Sequence, residues 1–368
     1  MSANAGPDIV EDGIVFYYDT GNTVKSYIGQ PSTNYWDAVS YSIYNSGATN
    51  YRNQTFPLPP IAGYEVVKVV ADTPGVYGQS ILWKAPYPNN NVETITNSIY
   101  AWMQSGTYVQ VGQHWWPWYY GTQKTIATGQ WVRISETYTI NQSNSYGVAA
   151  LVYSTDGTAY FAMPQFEYTS YPSPFLPANG TRSVTQGLLP LTGSTINLTD
   201  VSFNNSGQIT FDGTNDYINT DYTSGYDGTV ELIIQSSTYN GTIPFSLDSD
   251  NFASGPNIYF TNNIIAWNTG DGQSNAFSNS SYPNSNYHHL TITNQSSGAA
   301  LYIDGVLIGT AAGRSMTTTG SSKLWLGRFH GGGYYFNGNL PVVRIYNKAL
   351  SASEVLTNYN AFKSRFGI

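Results

Sequence analysis

The strongest constraint on the fold is a change of hydrophobic period near residue 350. Before it, Ala300-Leu301-Tyr302-Ile303 and Val306-Leu307-Ile308-Gly309-Thr310 alternate as strands do, with Asp304-Gly305 between them. An Asp-Gly pair flanked by such runs predicts a two-residue hairpin, because both turn positions need positive φ. Lys323-Leu324-Trp325-Leu326-Gly327-Arg328 and the run from Asn337 to Tyr346 read as further strands. After the change, Ser351 and Glu354 make a capping-box signature. Val355, Leu356, Tyr359 and Phe362 then follow at helical spacing, predicting one apolar stripe laid on a sheet. Lys363 and Arg365 suit the last turn of that helix, and Gly367 its left-handed C-cap.

The stretches "YIDGVLIGT", "LWLGR" and "FNGNLPVVRIYNKALSASEV" resemble the closing half of laminin-G-like, concanavalin-A-like jelly-roll domains. Phe211-Asp212-Gly213-Thr214-Asn215-Asp216-Tyr217-Ile218 resembles the opening strand of the same family, and Tyr287-His288-His289-Leu290 its "W-H-H-L" strand, with one histidine facing the core and the other solvent. The ending "ALSASEVLTNYNAFKSRFGI" is most similar to domains in virion proteins of tailed bacteriophages. The resemblance implies a fold and a setting, not a reaction.

Composition agrees with an all-β chain. Its 368 residues include 36 Gly, 18 Pro and 32 Tyr, and only 10% are charged. Such a sequence makes many short strands and turns. Its net charge of −8 argues against a phosphate-backbone ligand, so no nucleic-acid partner is expected. No apolar run approaches the ~20 residues that cross a bilayer, so no membrane insertion is expected. The N-terminus lacks the basic region and apolar core of a signal peptide. Cysteine is absent, which removes disulfides and thiolate metal sites and fits assembly in a reducing host cytoplasm.

Taken in order, residues 1–57 read as an N-terminal arm that docks on other virion proteins, the alternative being an edge strand and loops packed on the next domain. Gly13–Asp19 is its one strand, and Gly29-Gln30-Pro31-Ser32-Thr33-Asn34 resembles a "G-x-P-T-x-N" turn of phage structural proteins. Residues 58–182 read as a first β-sandwich. Its ending, Gln165-Phe166-Glu167, Pro174-Phe175 and Gly180-Thr181-Arg182, resembles the close of jelly rolls like carbohydrate-binding modules. Residues 183–368 are the laminin-G-like sandwich. The expected architecture is thus two jelly-roll β-sandwiches in tandem, with an N-terminal arm and one short C-terminal helix.

The densest aromatic segment is His114-Trp115-Trp116-Pro117-Trp118-Tyr119-Tyr120. Strand alternation buries only about half of such a run. Trp115, Trp116, Trp118, Tyr119 and Tyr120 are therefore candidates for stacking on sugar rings or on a partner, against filling a core or subunit interface. For catalysis, glycoside hydrolysis needs two carboxylates ~5–9.5 Å apart. The Glu-x-Asp-x-x-Glu strand of concanavalin-A-like glucanases does not occur, and Glu231 and Glu354 read as structural. No nucleophile elbow or phosphate-binding loop occurs either. The family resemblance implies calcium as the one plausible ion, with Asp216, Asp248 and Asp250 as ligands; the alternative is turn chemistry, in which aspartate bonds its own backbone.

The expected function is therefore non-enzymatic: a structural or adhesive virion component (fibre, capsid decoration or tail-associated protein), a homo-oligomer that also binds host-surface glycans. The rival readings are a glycan depolymerase of the phage tail and a bacterial surface adhesin.

Overall fold

The computed structural model describes residues 9–23, 25–35, 44–46, 48–72, 79–81, 93–104, 109–111, 122, 129–140, 151–153, 158–203, 208–223, 228–236, 240–248, 256–261, 264–269, 274–277, 285–312 and 323–368. It is β-rich throughout, with one α-helix among the described residues, Ala352–Phe366. The chain divides into two compact units, Pro31–Ser183 and a second made of Met1–Gln30 with Val184–Ile368.

In the second unit, an eight-stranded and a seven-stranded antiparallel sheet enclose the core. The Asn337–Tyr346 strand organises the larger sheet. One of its edges pairs along Gly228–Ser236. Its other edge is shared end to end by Ile209–Asp212, which meets Asn337–Asn339, and by Ile14–Asp19, which meets Val342–Tyr346. Phe16 and Tyr18 are fully buried, and the Tyr18 hydroxyl donates to Leu340 O at 2.8 Å. The expected arm is thus corrected at its start: Ile14–Asp19 is an integral strand of the C-terminal sandwich, while Pro31 onward belongs to the first unit. The burial of alternate aromatics explains this, since Phe16 and Tyr18 share one face of the strand.

The smaller sheet runs in the order Ile196–Thr199, Tyr217–Thr220, Lys323–Leu326, Thr242–Asp248, Pro256–Thr261, Ile264–Thr269, Ser274–Phe277. Leu198, Ile218, Leu326, Phe245, Ile258 and Trp267 are neighbours in register across it, and all are buried. They form its core-facing row, and the Trp267 indole N–H reaches Asn294 Oδ1 of the larger sheet at 3.2 Å.

The Asp304-Gly305 hairpin forms as expected. Ile303 pairs Val306, and the turn residues have φ of 50° and 75°. The C-terminal helix carries the full capping box at Ser351 and Glu354, and Gly367 is left-handed. Its buried stripe differs from the expected one: Val355, Asn358 and Phe362 face the sheet, and Leu356 is 46% exposed. A polar residue occupies the middle because the sheet beneath presents charge.

In the first unit, a five-stranded sheet (Ala48–Tyr51, Val66–Ala71, Thr158–Glu167, Glu93–Trp102, Val132–Ile140) and a three-stranded sheet (Tyr44–Ser46, Gln79–Ile81, Leu151–Tyr153) provide the frame. Val67, Val69, Ile99, Ala101, Met103 and Phe161 make the main apolar cluster. The two motifs singled out in sequence meet here. Thr33 pairs Thr181 and Ser32 pairs Arg182. Asn34, fully buried, donates to Pro164 O and Leu176 O at 3.2 and 2.9 Å and accepts from Phe166 N at 3.0 Å. Glu167, also fully buried, accepts from Ser32 Oγ at 2.7 Å and from both the N–H and the hydroxyl of Ser173.

Candidate functional site

Three polar constellations emerge from this frame, and two of them hold the fold. The first lies under the C-terminal helix. Glu231, His289, Arg344, Tyr346 and Asn358 are all buried. Glu231 Oε1 meets His289 Nε2, and Arg344 Nε lies 2.9 Å from Glu231 Oε2. Asn358 Nδ2 donates to Glu231 Oε2 at 3.1 Å and to the Tyr346 hydroxyl at 2.9 Å, while its Oδ1 accepts the Val10 N–H at 2.8 Å. The Arg344 guanidinium is capped by the Phe362 and Tyr17 rings, 4.6 and 5.5 Å from their centroids. Burial pushes the Glu231 carboxyl up, but Arg344 and His289 outweigh it and hold the group below the usual carboxylate range. A carboxylate neutralised on two sides and closed off by a helix is a structural clamp, as expected of Glu231. His289 is fully buried and meets Glu231, while His288 is partly buried and bonds Asp304 at 2.8 Å, so neither histidine is given over to solvent, contrary to what the sequence led one to expect.

The second surrounds Asp216. Its Oδ2 accepts the Asp212 N–H at 2.8 Å, while Asp212 Oδ1 accepts from Thr214 N and Asn215 N at 2.7 and 3.3 Å. This is turn chemistry. Burial, then the neighbouring Asp212 and Asp200 carboxylates, raise Asp216 to about 6 against the lowering effect of the backbone bond. Asp248 ends a strand, in register with Lys323. Asp250 lies outside the described residues, and among those residues no group of three or more histidine and carboxylate side chains is arranged to hold a metal ion. Trp115, Trp116, Trp118, Tyr119 and Tyr120 also lie outside them.

The third constellation was not singled out in the sequence. It lies on the face of the seven-stranded sheet opposite the core row. Cross-strand register places Asn197, Asn219, Trp325, Ser246 and Asn257 in one line on that face. Tyr217, on the same face as Asn219, has its ring centroid 5.6 Å from that of Trp325. The Arg328 guanidinium sits against both rings, 3.8 Å from the Tyr217 centroid and 4.5 Å from that of Trp325. The His330 ring stands edge-on to Trp325 at 5.0 Å. All four side chains are partly buried.

Gly327 fixes where Arg328 points. Its φ is +85°, and a Cβ there would lie 2.4 Å from the Phe211 ring, which is itself fully buried against Phe336. Gly327 N donates to Pro244 O at 3.0 Å, and Phe336 N donates to Gly327 O at 2.8 Å. The backbone is thus held on both sides where the strand ends and Arg328 begins. Among the described residues no carboxylate pairs with Arg328. By contrast, Arg52, Arg344 and Arg365 meet Glu65, Glu231 and Asp19. Among the described residues, buried Trp325 Nε1, Arg328 Nε, Ser246 Oγ and Asn197 Oδ1 likewise have no hydrogen-bond partner. A trace of the site was legible: the alternation of Lys323–Leu326 puts both leucines in the core and Trp325 outside. What sequence could not give is the second ring, Tyr217, more than a hundred residues away.

The first unit also carries an open cleft of ≈ 230 Å³ lined by Pro31, Ser32, Thr33, Tyr35, Tyr168 and Thr181, among others. Tyr35 and Tyr168 stand edge to face there at 4.7 Å.

Residues 197–356, within the C-terminal sandwich, match the family model of the concanavalin A-like lectin/glucanases superfamily, and the site above lies within the matched residues. No curated protein matches the chain. Among solved structures, the botulinum neurotoxin type G receptor binding domain aligns with a TM-score of 0.38 and 20% identity over 48% of this chain and 49% of that one. A second, described by the dependence of botulinum neurotoxin type C cell entry on interaction with two ganglioside molecules, aligns with a TM-score of 0.37 and 16% identity over 47% and 48%. The chain spans about half the length of these neighbours. Among the described residues no helix is long and apolar enough to cross a membrane.

Proposed function

We propose that this protein is a non-enzymatic binding component of a tailed-phage particle, which recognises host-surface glycans through its C-terminal lectin-like sandwich. The observation that carries the reading is the Tyr217–Arg328–Trp325 group, three side chains able to make ring and guanidinium contacts, set on the sheet face opposite the core. Sugars are bound by such groups, since C–H edges meet π faces and hydroxyls meet planar N–H donors. Four of the seven glutamates are engaged in ways that favour binding over hydrolysis. Glu65 pairs with Arg52, Glu167 is tied to Ser32 and Ser173, Glu231 is clamped under the helix, and Glu354 caps it. Each is engaged in a contact that holds the fold. The phage setting rests on the resemblance of the C-terminal stretch to virion proteins. Assembly on other virion proteins and into homo-oligomers would turn weak single contacts into avidity.

The test is incubation of the full chain with purified host surface polysaccharide. Retention of the polysaccharide without release of reducing ends is expected. Release of reducing ends at a steady rate would make it a depolymerase, and absence of retention would sink the binding reading. Locating its density on an intact particle tests the virion part.

A further inference from the structure

We infer that Arg328 is the receptor for a carboxylate on the bound glycan, so that the site selects acidic sugars, those bearing a uronic-acid or similar carboxyl group. The inference rests on the glycan-binding reading above and narrows it to one ligand chemistry.

The reasoning starts from charge. The chain carries 14 basic and 22 acidic side chains, so acceptors for an arginine are plentiful. Arg328 nevertheless meets two aromatic rings and, among the described residues, no carboxylate. A guanidinium stacked on rings keeps its in-plane N–H groups directed outward past the ring edges. Stacking also removes much of the side chain's rotational freedom, so less is lost when the fork closes on a ligand. A planar, pre-positioned fork matches a carboxylate with two parallel hydrogen bonds. A neutral sugar hydroxyl offers no such pairing.

The surroundings suit a sugar better than an isolated anion. The Tyr217 and Trp325 rings lie against the guanidinium, and the half-buried Asn197 and Asn219 lie in line with Trp325 on the same sheet face. A pyranose bearing a carboxyl group can therefore place its charge on Arg328 and its hydroxyls along the amide row. Gly327 makes the arrangement rigid, because no other residue fits beside Phe211 at that φ.

The experiment uses the full chain and two matched pairs of probes: tetragalacturonate with its carboxyl-reduced counterpart, and 3′-sialyllactose with lactose. Binding is measured by titration calorimetry at low and high salt, and thermal unfolding is followed in parallel. The parent is expected to bind the acidic member of at least one pair tenfold or more tighter than the neutral one, with the margin shrinking as salt rises. Arg328→Gln should erase the margin, bringing the affinity for the acidic member of each pair down to that for its neutral partner in the same variant. Arg328→Lys, which keeps the charge without the fork, should recover only part of it and guards against a folding artefact. Equal binding of acidic and neutral members, or an undiminished margin in Arg328→Gln, would overturn the carboxylate assignment while leaving glycan binding intact. If none of the four probes binds and host polysaccharide is not retained either, both readings fail together. If polysaccharide is retained but no acidic probe outcompetes its neutral partner for it, the carboxylate assignment alone fails.

Discussion

Two carboxylates show how much a single position depends on its neighbours. Glu231 is fully enclosed, yet Arg344 and His289 keep it ionised below the usual range. A carboxyl depressed in the folded state stabilises above its unfolded value near ~4.3, and that contribution is lost as pH falls through the folded value. Unfolding of the parent should therefore ease in acid, and Glu231→Gln should flatten that dependence. Removing one partner leaves an uncompensated buried charge, so Arg344→Met should cost ~3–5 kcal/mol in chemical denaturation. The double variant Glu231→Gln/Arg344→Met should cost less than the sum of the two. Asp216 runs the other way. Raised to about 6, it is penalised once pH exceeds its unfolded value near ~3.9, and fully so above its folded value. Asp216→Asn keeps an oxygen for the Asp212 N–H, and should stabilise by roughly 1 kcal/mol at pH 7.5 after solvent screening, with no gain near pH 3. A loss at pH 7.5 would show instead that the carboxylate is held by a cation.

The C-terminal helix is stable through what it covers. At 15 residues it is close to the length at which an isolated helix is marginal in water. Its caps contribute locally: Ser351 accepts the Glu354 N–H, and Glu354 returns a bond to the Ser351 N–H at 2.8 Å. Ser351→Ala should cost ~0.5–2 kcal/mol. The larger contribution comes from Asn358, which holds Glu231, Tyr346 and Val10 together. Asn358→Leu keeps the volume but strands those partners, so it should destabilise by ~1–3 kcal/mol, more than Ser351→Ala at the midpoint of the denaturant curve. A smaller loss at Asn358 than at Ser351 would show that the buried network matters less than the caps. Removing residues 351–368 uncovers Arg344 and the sheet around it, and aggregation of the truncated chain in size-exclusion chromatography is the expected result.

Over the whole molecule, the chain's first strand belongs to its last domain. Ile14–Asp19 pairs along Val342–Tyr346, and Asp19 meets Arg365 of the helix at 2.8 Å. Expressing residues 184–368 alone should therefore give an aggregation-prone product, because the open edge and the hole left by Phe16 and Tyr18 remain unfilled. Residues 9–30 supplied in the same chain should restore a soluble, cooperative fold. A stable monomer of residues 184–368 would show that the strand is an accessory.

Local physics determined much of this protein from the sequence alone. Period-2 runs gave strands, the Asp304-Gly305 pair gave the hairpin, and the Ser351/Glu354 box with Gly367 gave both ends of the helix, because each depends on residues within a few positions of one another. The motifs around Asn34 and Glu167 were also visible, though not that one would lock the other. What only the tertiary structure decided is every feature that needs residues far apart. The helix stripe shifted from Leu356 to Asn358 because a carboxylate lay beneath it, which no helical periodicity encodes. The first strand joined the last domain because a partner edge was open to it more than three hundred residues later. The Tyr217–Arg328–Trp325 group exists only because antiparallel register brings two distant strands side by side, and hydrogen-bond register is a property of the sheet rather than of either strand.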